Sequence, residues 1–231
     1  MGSDECQQSS KENSWSDYIS DLLSLGSDLP WVKKIGQIWS VINKWLHNRS
    51  NVGMYEVLDY ESILELKDCK GKNAIQKKHE KVQYLQDNII AFQDQAWGDG
   101  KILEDYRCTP GIPVDSYHLG HKTYILISLQ EVKNKGDIDH FNIEWNIKEG
   151  FLSKTGFWTT VISHRTKRIS NKVIFPKSRP PRYVSIVEQN SQRTHLLGEA
   201  ATLKLPDGRW LVSWERNQPR LYEQYILKWE W

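Results

Sequence analysis

The sequence predicts a mainly β protein: an N-terminal amphipathic helical arm followed by an antiparallel β-sandwich body, Ig-like or related. Three observations carry this. From Thr123 onward, apolar and polar residues alternate in short segments separated by turn signals, with no helical interval. Between Ser14 and His47 the apolar positions recur at helical spacing instead. The aromatic complement is 11 Trp and 10 Tyr against 5 Phe and 2 Met, so most of the large rings carry a polar handle.

Residues 1–13 are polar, lack apolar periodicity and are expected to be a disordered tail. Trp15, Tyr18, Ile19, Leu22 and Leu23 then fall on one helical face, with Ser14 and Asp17 as a capping pair and Gly26 as a stop. A second helix starts near Pro30, a residue tolerated in a first helical turn, and runs to His47. Trp31, Ile35, Trp39, Ile42 and Trp45 line its apolar half, while Lys33, Lys44 and His47 lie opposite. These elements make an arm over 14–53.

The next segment, 54–121, is a β-rich subdomain or the first part of the body. Two apolar runs flank Cys69-Lys70-Gly71-Lys72 as a hairpin, although the lysines of the second limb do not alternate cleanly and leave a short helix open there. Gly98-Asp99-Gly100 punctuates the chain, and a proline-broken loop is expected from Thr109 to His121. The sandwich proper is expected over 122–231. Its turns fall at Asn134–Asp137, at the polar corner His164–Arg168, at Asn190–Gln192 and at Pro206-Asp207-Gly208, where proline presets φ and glycine accepts a positive one. The strands on either side of His164–Arg168 are expected to form a basic hairpin.

Composition excludes several classes. With 31 Lys+Arg against 29 Asp+Glu the formal charge is only +2, too balanced for a globally basic nucleic-acid packer. No run of apolar residues is long enough for a membrane-spanning helix, and the polar first residues offer no secretory h-region. The 3 cysteines, Cys6, Cys69 and Cys108, are odd in number and have no CxxC spacing. A reducing, cytoplasmic setting is therefore expected, with peripheral membrane placement as the alternative. Phosphate-cradle, nucleophile-elbow and zincin motifs are all missing, and no cofactor is expected.

Four constellations remain as candidate chemistry. Asp115, His118 and His121 would converge on a metal only if their loop turned back on itself; the bland alternative is a hydrogen-bonded loop-to-strand junction. Cys108 is a nucleophile candidate or a partly buried structural thiol. Asp94, Asp99, Glu104 and Asp105 form an acidic cluster in sequence, or simply ordinary turn chemistry. The clearest charge feature is 165–182, where Arg165, Lys167, Arg168, Lys172, Lys177, Arg179 and Arg182 occur with no acidic residue among them. Such a run suits an acidic protein face, anionic headgroups or phosphates, or is a solvated edge kept charged against strand pairing. No nucleic-acid-binding module accompanies it.

The runs FQDQAWGDG, RPPRYVSIVEQN and YILKWEW resemble uncharacterised bacterial proteins that accompany signalling or defence loci. The resemblance covers about 54–231 and implies no activity, cofactor or site residue. The function expected is a non-catalytic protein-interaction module. Its sandwich face binds a protein partner or a second copy, the basic run steers, and the tryptophans of helix 31–46 tether. A peripheral or membrane-damaging protein using that helix is the first alternative. An enzyme with a site in the 99–121 loops is the second.

Overall fold

The computed structural model describes residues 53–231. The expected tail and both helices of the expected arm, with Trp31, Ile35, Trp39, Ile42 and Trp45, lie outside the described residues. What is described is mainly β: strands in three sheets and one short 3-10 turn at Glu199–Ala201.

β1 (Tyr55–Leu66) and β2 (Asn73–Tyr84) form a long hairpin with a register shift between Val57 and Asp59. Its turn is held by the Asp68 carboxylate, which accepts from the backbone N–H groups of Lys70, Lys72 and Asn73. Gly71 sits at φ 68°, and a Cβ there would lie 1.8 Å from the Phe151 carbonyl oxygen, so the turn requires glycine twice over. The second limb is a strand throughout, not a helix. Its inner face carries Gln76, Lys78 and Glu80, which is why its lysines fail to alternate with apolar residues.

β7 (Ile138–Lys148) pairs with β2, and β4 (Lys101–Thr109) closes that side. On the other side β9 (Arg168–Phe175) lies against β1, followed by β13 (Trp210–Asn217) and β12 (Thr202–Lys204). This seven-stranded sheet has the order β12-β13-β9-β1-β2-β7-β4. A three-stranded sheet consists of β3 (Ile89–Ala96), β6 (Lys122–Lys133) and β5 (Ile112–Leu119), with β6 central. A four-stranded sheet has the order β11 (Arg193–Leu196), β10 (Arg182–Glu188), β14 (Gln224–Glu230), β8 (Thr155–Val161). Strands from before and after residue 121 share sheets: β1, β2 and β4 lie in the same sheet as β7, β9 and β13.

Three expectations are corrected. β8 and β9 are not a basic hairpin. The corner between them carries the chain from the four-stranded to the seven-stranded sheet, and Lys167 N–H bonds Val57 O as β9 approaches β1. Because the chain enters β9 by this crossover, β1 and β9 run parallel, the exception to the antiparallel pairing expected. The expected loop at Ile112–Leu119 is a strand on the edge of its sheet.

One face of the seven-stranded sheet is buried. Register aligns Val212, Val173, Leu64, Gln76 and Trp145 in a single row across five strands, all at most 2% exposed. The four-stranded sheet covers part of this face: the Trp158 indole N–H donates to Ser62 Oγ at 2.9 Å, and Phe175 meets Trp229 edge-on at 5.5 Å. The three-stranded sheet covers another part, with Phe92 stacked on Phe141 at 4.0 Å. Fully buried apolar side chains such as Leu64, Ile127 and Phe175 each contribute about 1.5–3 kcal/mol relative to exposure.

Candidate interaction surface

The sites expected from sequence do not assemble into catalytic or metal-binding geometry. Asp115 and His118 lie three residues apart on β5 and therefore project to opposite sides of the strand. His118 Nδ1 pairs with Thr123 Oγ1 at 2.9 Å, and His121 lies in the turn beyond the strand. Among the described residues no three His, Cys, Asp or Glu side chains are grouped to hold a metal ion. The acidic residues disperse likewise: Glu104 pairs with Lys148, Asp105 accepts from Asn146, and Asp94 is in the core. Cys108 lies partly buried with its thiol against the Pro110 carbonyl. Burial, with the nearby Asp94 and Glu80 carboxylates, pushes that thiol up to about 12, which leaves it an unreactive thiol at neutral pH.

Sequence reading missed a polar network inside the protein. Lys78, on the buried face of β2, extends its ammonium to Asp94 Oδ1 of β3 at 2.6 Å and to the Gln95 carbonyl at 2.7 Å. It also sits over the Trp145 ring, 4.9 Å from the centroid. Tyr106 of β4 donates its hydroxyl to the other Asp94 oxygen. This cluster clasps the seven-stranded sheet to the three-stranded one. Glu80 is one pleat further along β2, between Tyr60 and Phe141 in register, and is 9% exposed. Burial raises its carboxyl to about 7; Lys78 opposes the rise and Asp94 adds to it. At the neighbouring corner His164 stacks on Tyr55 at 4.3 Å, and burial lowers its imidazole to about 4. A sequence signal did exist: charged residues at every second position of a predicted strand place charge on a single face.

Three of the seven basic side chains of the run are neutralised by ion pairs. Acids from β1 and β13 supply the partners absent from the run itself: Lys167 pairs with Glu56, Arg168 with Asp59 and with Glu215 of β13, and Lys172 with Glu61. Arg179 lies flat on Trp231 and donates to the carbonyls of Cys69 and Ser153. Arg165, Lys177 and Arg182 form no ion pair among the described residues. Part of the surplus of charge seen in sequence is thus paired across strands on the outer face of the seven-stranded sheet.

The outer face of the four-stranded sheet has a different character. Register aligns Leu196, Ser185, Lys228 and Phe157 in one row across its strands, and Thr194, Val187, Ile226 and Thr159 in the next. Leu196 is 74% exposed and Phe157 56%. Lys228 is the one charge in the two rows, and it forms no ion pair among the described residues. The equivalent outward row of the seven-stranded sheet runs Glu215, Ser170, Glu61, His79 and Asn142, all polar and with Ser170 itself buried. At the near end of β10, a bulge between Arg182 and Ser185 holds Tyr183 at φ 47° with its ring exposed. A non-glycine residue in that left-handed region is strained and is maintained by its surroundings.

No protein-family model matches the chain, and no curated protein matches it. Solved structures similar to it include an M1 zinc metallopeptidase from Deinococcus radiodurans, at 8% identity and a TM-score of 0.44 over 76% of this chain and 42% of that one. A mutant of an M1 zinc metallopeptidase from the same organism, bound to a Tyr-ser-ala substrate, gives 8% identity and a TM-score of 0.45 over 75% and 42%. This chain spans less than half the length of those enzymes, and likeness at this level assigns it no activity.

Proposed function

We propose that the chain is a non-catalytic protein-interaction module whose docking surface is the outer face of the four-stranded sheet. The observation that carries the reading is the pair of outward rows holding Leu196, Phe157, Val187 and Ile226 with Lys228 as their one charge. Leu196 and Phe157 are exposed and Val187 and Ile226 half-buried; a sheet face left to water ordinarily carries polar residues, and apolar side chains exposed there mark contact sites. The body that presents this face is a two-layer β-sandwich, with the seven-stranded sheet as one layer and the two smaller sheets as the other. The contacts of Trp158 with Ser62 and of Phe92 with Phe141 support that layering. Phe157 and Tyr183 act as anchors, and Lys228 with Arg182, neither of them ion-paired among the described residues, favours a partner bearing carboxylates. The tether through Trp31, Trp39 and Trp45, and a place in bacterial signalling or defence, rest on sequence alone.

The test uses the full chain and an apolar fluorescent dye of the bis-anilinonaphthalene type. Val187→Thr, Ile226→Thr and Phe157→Thr, combined, lower dye emission while unfolding stability per site stays within about 0.5 kcal/mol of the parent, as for surface positions. A loss of about 2–5 kcal/mol, the range for core truncations, or undiminished dye binding, overturns the reading.

A further inference from the structure

We propose that one end of the β body, gathered around Arg179, is a docking surface for an anionic lipid bilayer, with headgroup phosphates as the groups it takes. The proposal goes beyond the interaction reading above and uses a different surface.

Three connections meet at this end. Because β1 and β9 run parallel and finish side by side, the β1–β2 turn over 67–72 lies near the β9–β10 connection over 176–181. The β7–β8 connection over 149–154 joins them: Phe151 N–H donates to Gly71 O at 3.1 Å, and Glu149 N–H to Lys72 O at 2.6 Å. Arg179 fastens all three. It donates to Cys69 O at 2.7 Å and to Ser153 O at 3.3 Å, and its guanidinium lies 3.7 Å from the centroid of the Trp231 ring. The Trp231 indole N–H donates to the same Ser153 carbonyl at 2.8 Å.

Arg179 is held without a counter-ion. Its acceptors are neutral carbonyls, so its charge is positioned but not compensated, and they use only part of its donor fork. A guanidinium fixed in this way suits bidentate contact with a phosphate. Lys70, Lys72, Lys154 and Lys177, on the same three connections, are exposed and form no ion pair among the described residues. The acids of this end are engaged or lie to one side. Asp68 turns its carboxylate onto the backbone N–H groups of its own turn, and Glu65 and Asp207 pair with Arg209. Asp99 and Glu149 lie toward β4, where the Gly100 turn abuts the Lys148 carbonyl, and Glu230 belongs to the outer face of the four-stranded sheet.

Apolar groups accompany the charge. Phe151 is buried against Gly71, while the next residue, Leu152, turns out and is 57% exposed. A leucine beside lysines at the tip of a connection dips among acyl chains while the ammonium groups stay at headgroup level, and an indole is at home in the same zone. Juxtaposed lysines and arginines are drawn to the negative potential of an anionic leaflet. Nucleic acid is a poorer match. One face of Trp231 is covered by Arg179 and Phe175 packs against the ring at 6.0 Å, so it offers no open platform on which a base could stack.

Co-sedimentation of the full chain with phosphatidylcholine vesicles, with and without phosphatidylglycerol, tests this. Wild type partitions to the anionic vesicles and not to the neutral ones, and is released near about 1 M salt, where the screening length falls to about 3 Å. A lysine close to an anionic leaflet contributes about fivefold in partitioning, so Lys70→Glu combined with Lys154→Glu lowers it by at least about tenfold. Both side chains are exposed, and circular dichroism with urea unfolding checks that the double variant keeps the fold. A wild-type chain that ignores anionic vesicles, or binds neutral ones equally, overturns the proposal. So does a double variant that binds as tightly as wild type, because the contact then lies elsewhere in the chain. Release by inorganic phosphate at constant ionic strength, or binding of a single-stranded oligonucleotide in preference to vesicles, overturns the bilayer as the occupant. The dye assay on the triple face variant reads a different surface, so the two readings fail independently.

Discussion

Glu80→Gln is expected to stabilise the protein at neutral pH, an unusual outcome for a buried substitution. Glu80 is 9% exposed on the inner face of β2, and no hydrogen bond compensates its carboxylate among the described residues. Burial raises its carboxyl from 4.5 to about 7. The charged form is therefore less stable in the folded chain than in the unfolded one. At about 1.4 kcal/mol per pH unit, ionised Glu80 costs the fold about 3 kcal/mol above pH 8. The sign follows from proton binding: between pH 4.5 and about 7 the folded state holds a proton that the unfolded state has lost, so stability falls as pH rises. Glutamine keeps the shape of the neutral acid and removes the slope. Urea unfolding of both forms at pH 4 and pH 8.5 is the assay, with equal stabilities expected at the lower pH and a gain of about 3 kcal/mol for the variant at the higher. His164 tilts the other way. Its imidazole, lowered from 6.5 to about 4, removes stability as pH falls through that window, so the variant's curve should rise from pH 4 toward neutral. A variant no more stable than wild type at pH 8.5 would refute the desolvation argument.

Lys78→Met should destabilise the fold by about 3–5 kcal/mol at pH 7, because it leaves Asp94 buried without its cation; denaturant midpoints measure this. Asp94→Asn removes a charge that raises the Glu80 carboxyl, so the Glu80 titration followed by carboxyl NMR should move to lower pH.

Much of the β body was legible because its strands obey local rules. β7 alternates Phe141, Ile143, Trp145 and Ile147 inward, and the Pro206–Gly208 turn contains residues chosen by its geometry. What sequence did not disclose is what depends on partners distant along the chain. β5 looked like a loop because it is exposed on both sides and carries Pro113, features of an edge strand that periodicity cannot separate from a loop. The basic run seemed unpaired because its acids, Glu56, Asp59 and Glu61, lie more than a hundred residues earlier on β1, a parallel neighbour that local reading cannot supply. The docking rows were invisible for the same reason. Leu196, Val187, Ile226 and Phe157 sit on four strands, and only the register brings them together. In sequence each is an unremarkable apolar residue of an alternating strand.

Carbene footprinting of the full chain with an apolar diazirine tests the central claim most directly, because it reports where apolar surface is open to a small probe. Dense labelling of Phe157, Val187, Ile226 and Leu196, against sparse labelling of the Glu61, His79 and Asn142 row, is the result the account predicts. Labelling of the four-stranded face no heavier than that of the charged face, in a folded and monomeric sample, would contradict it.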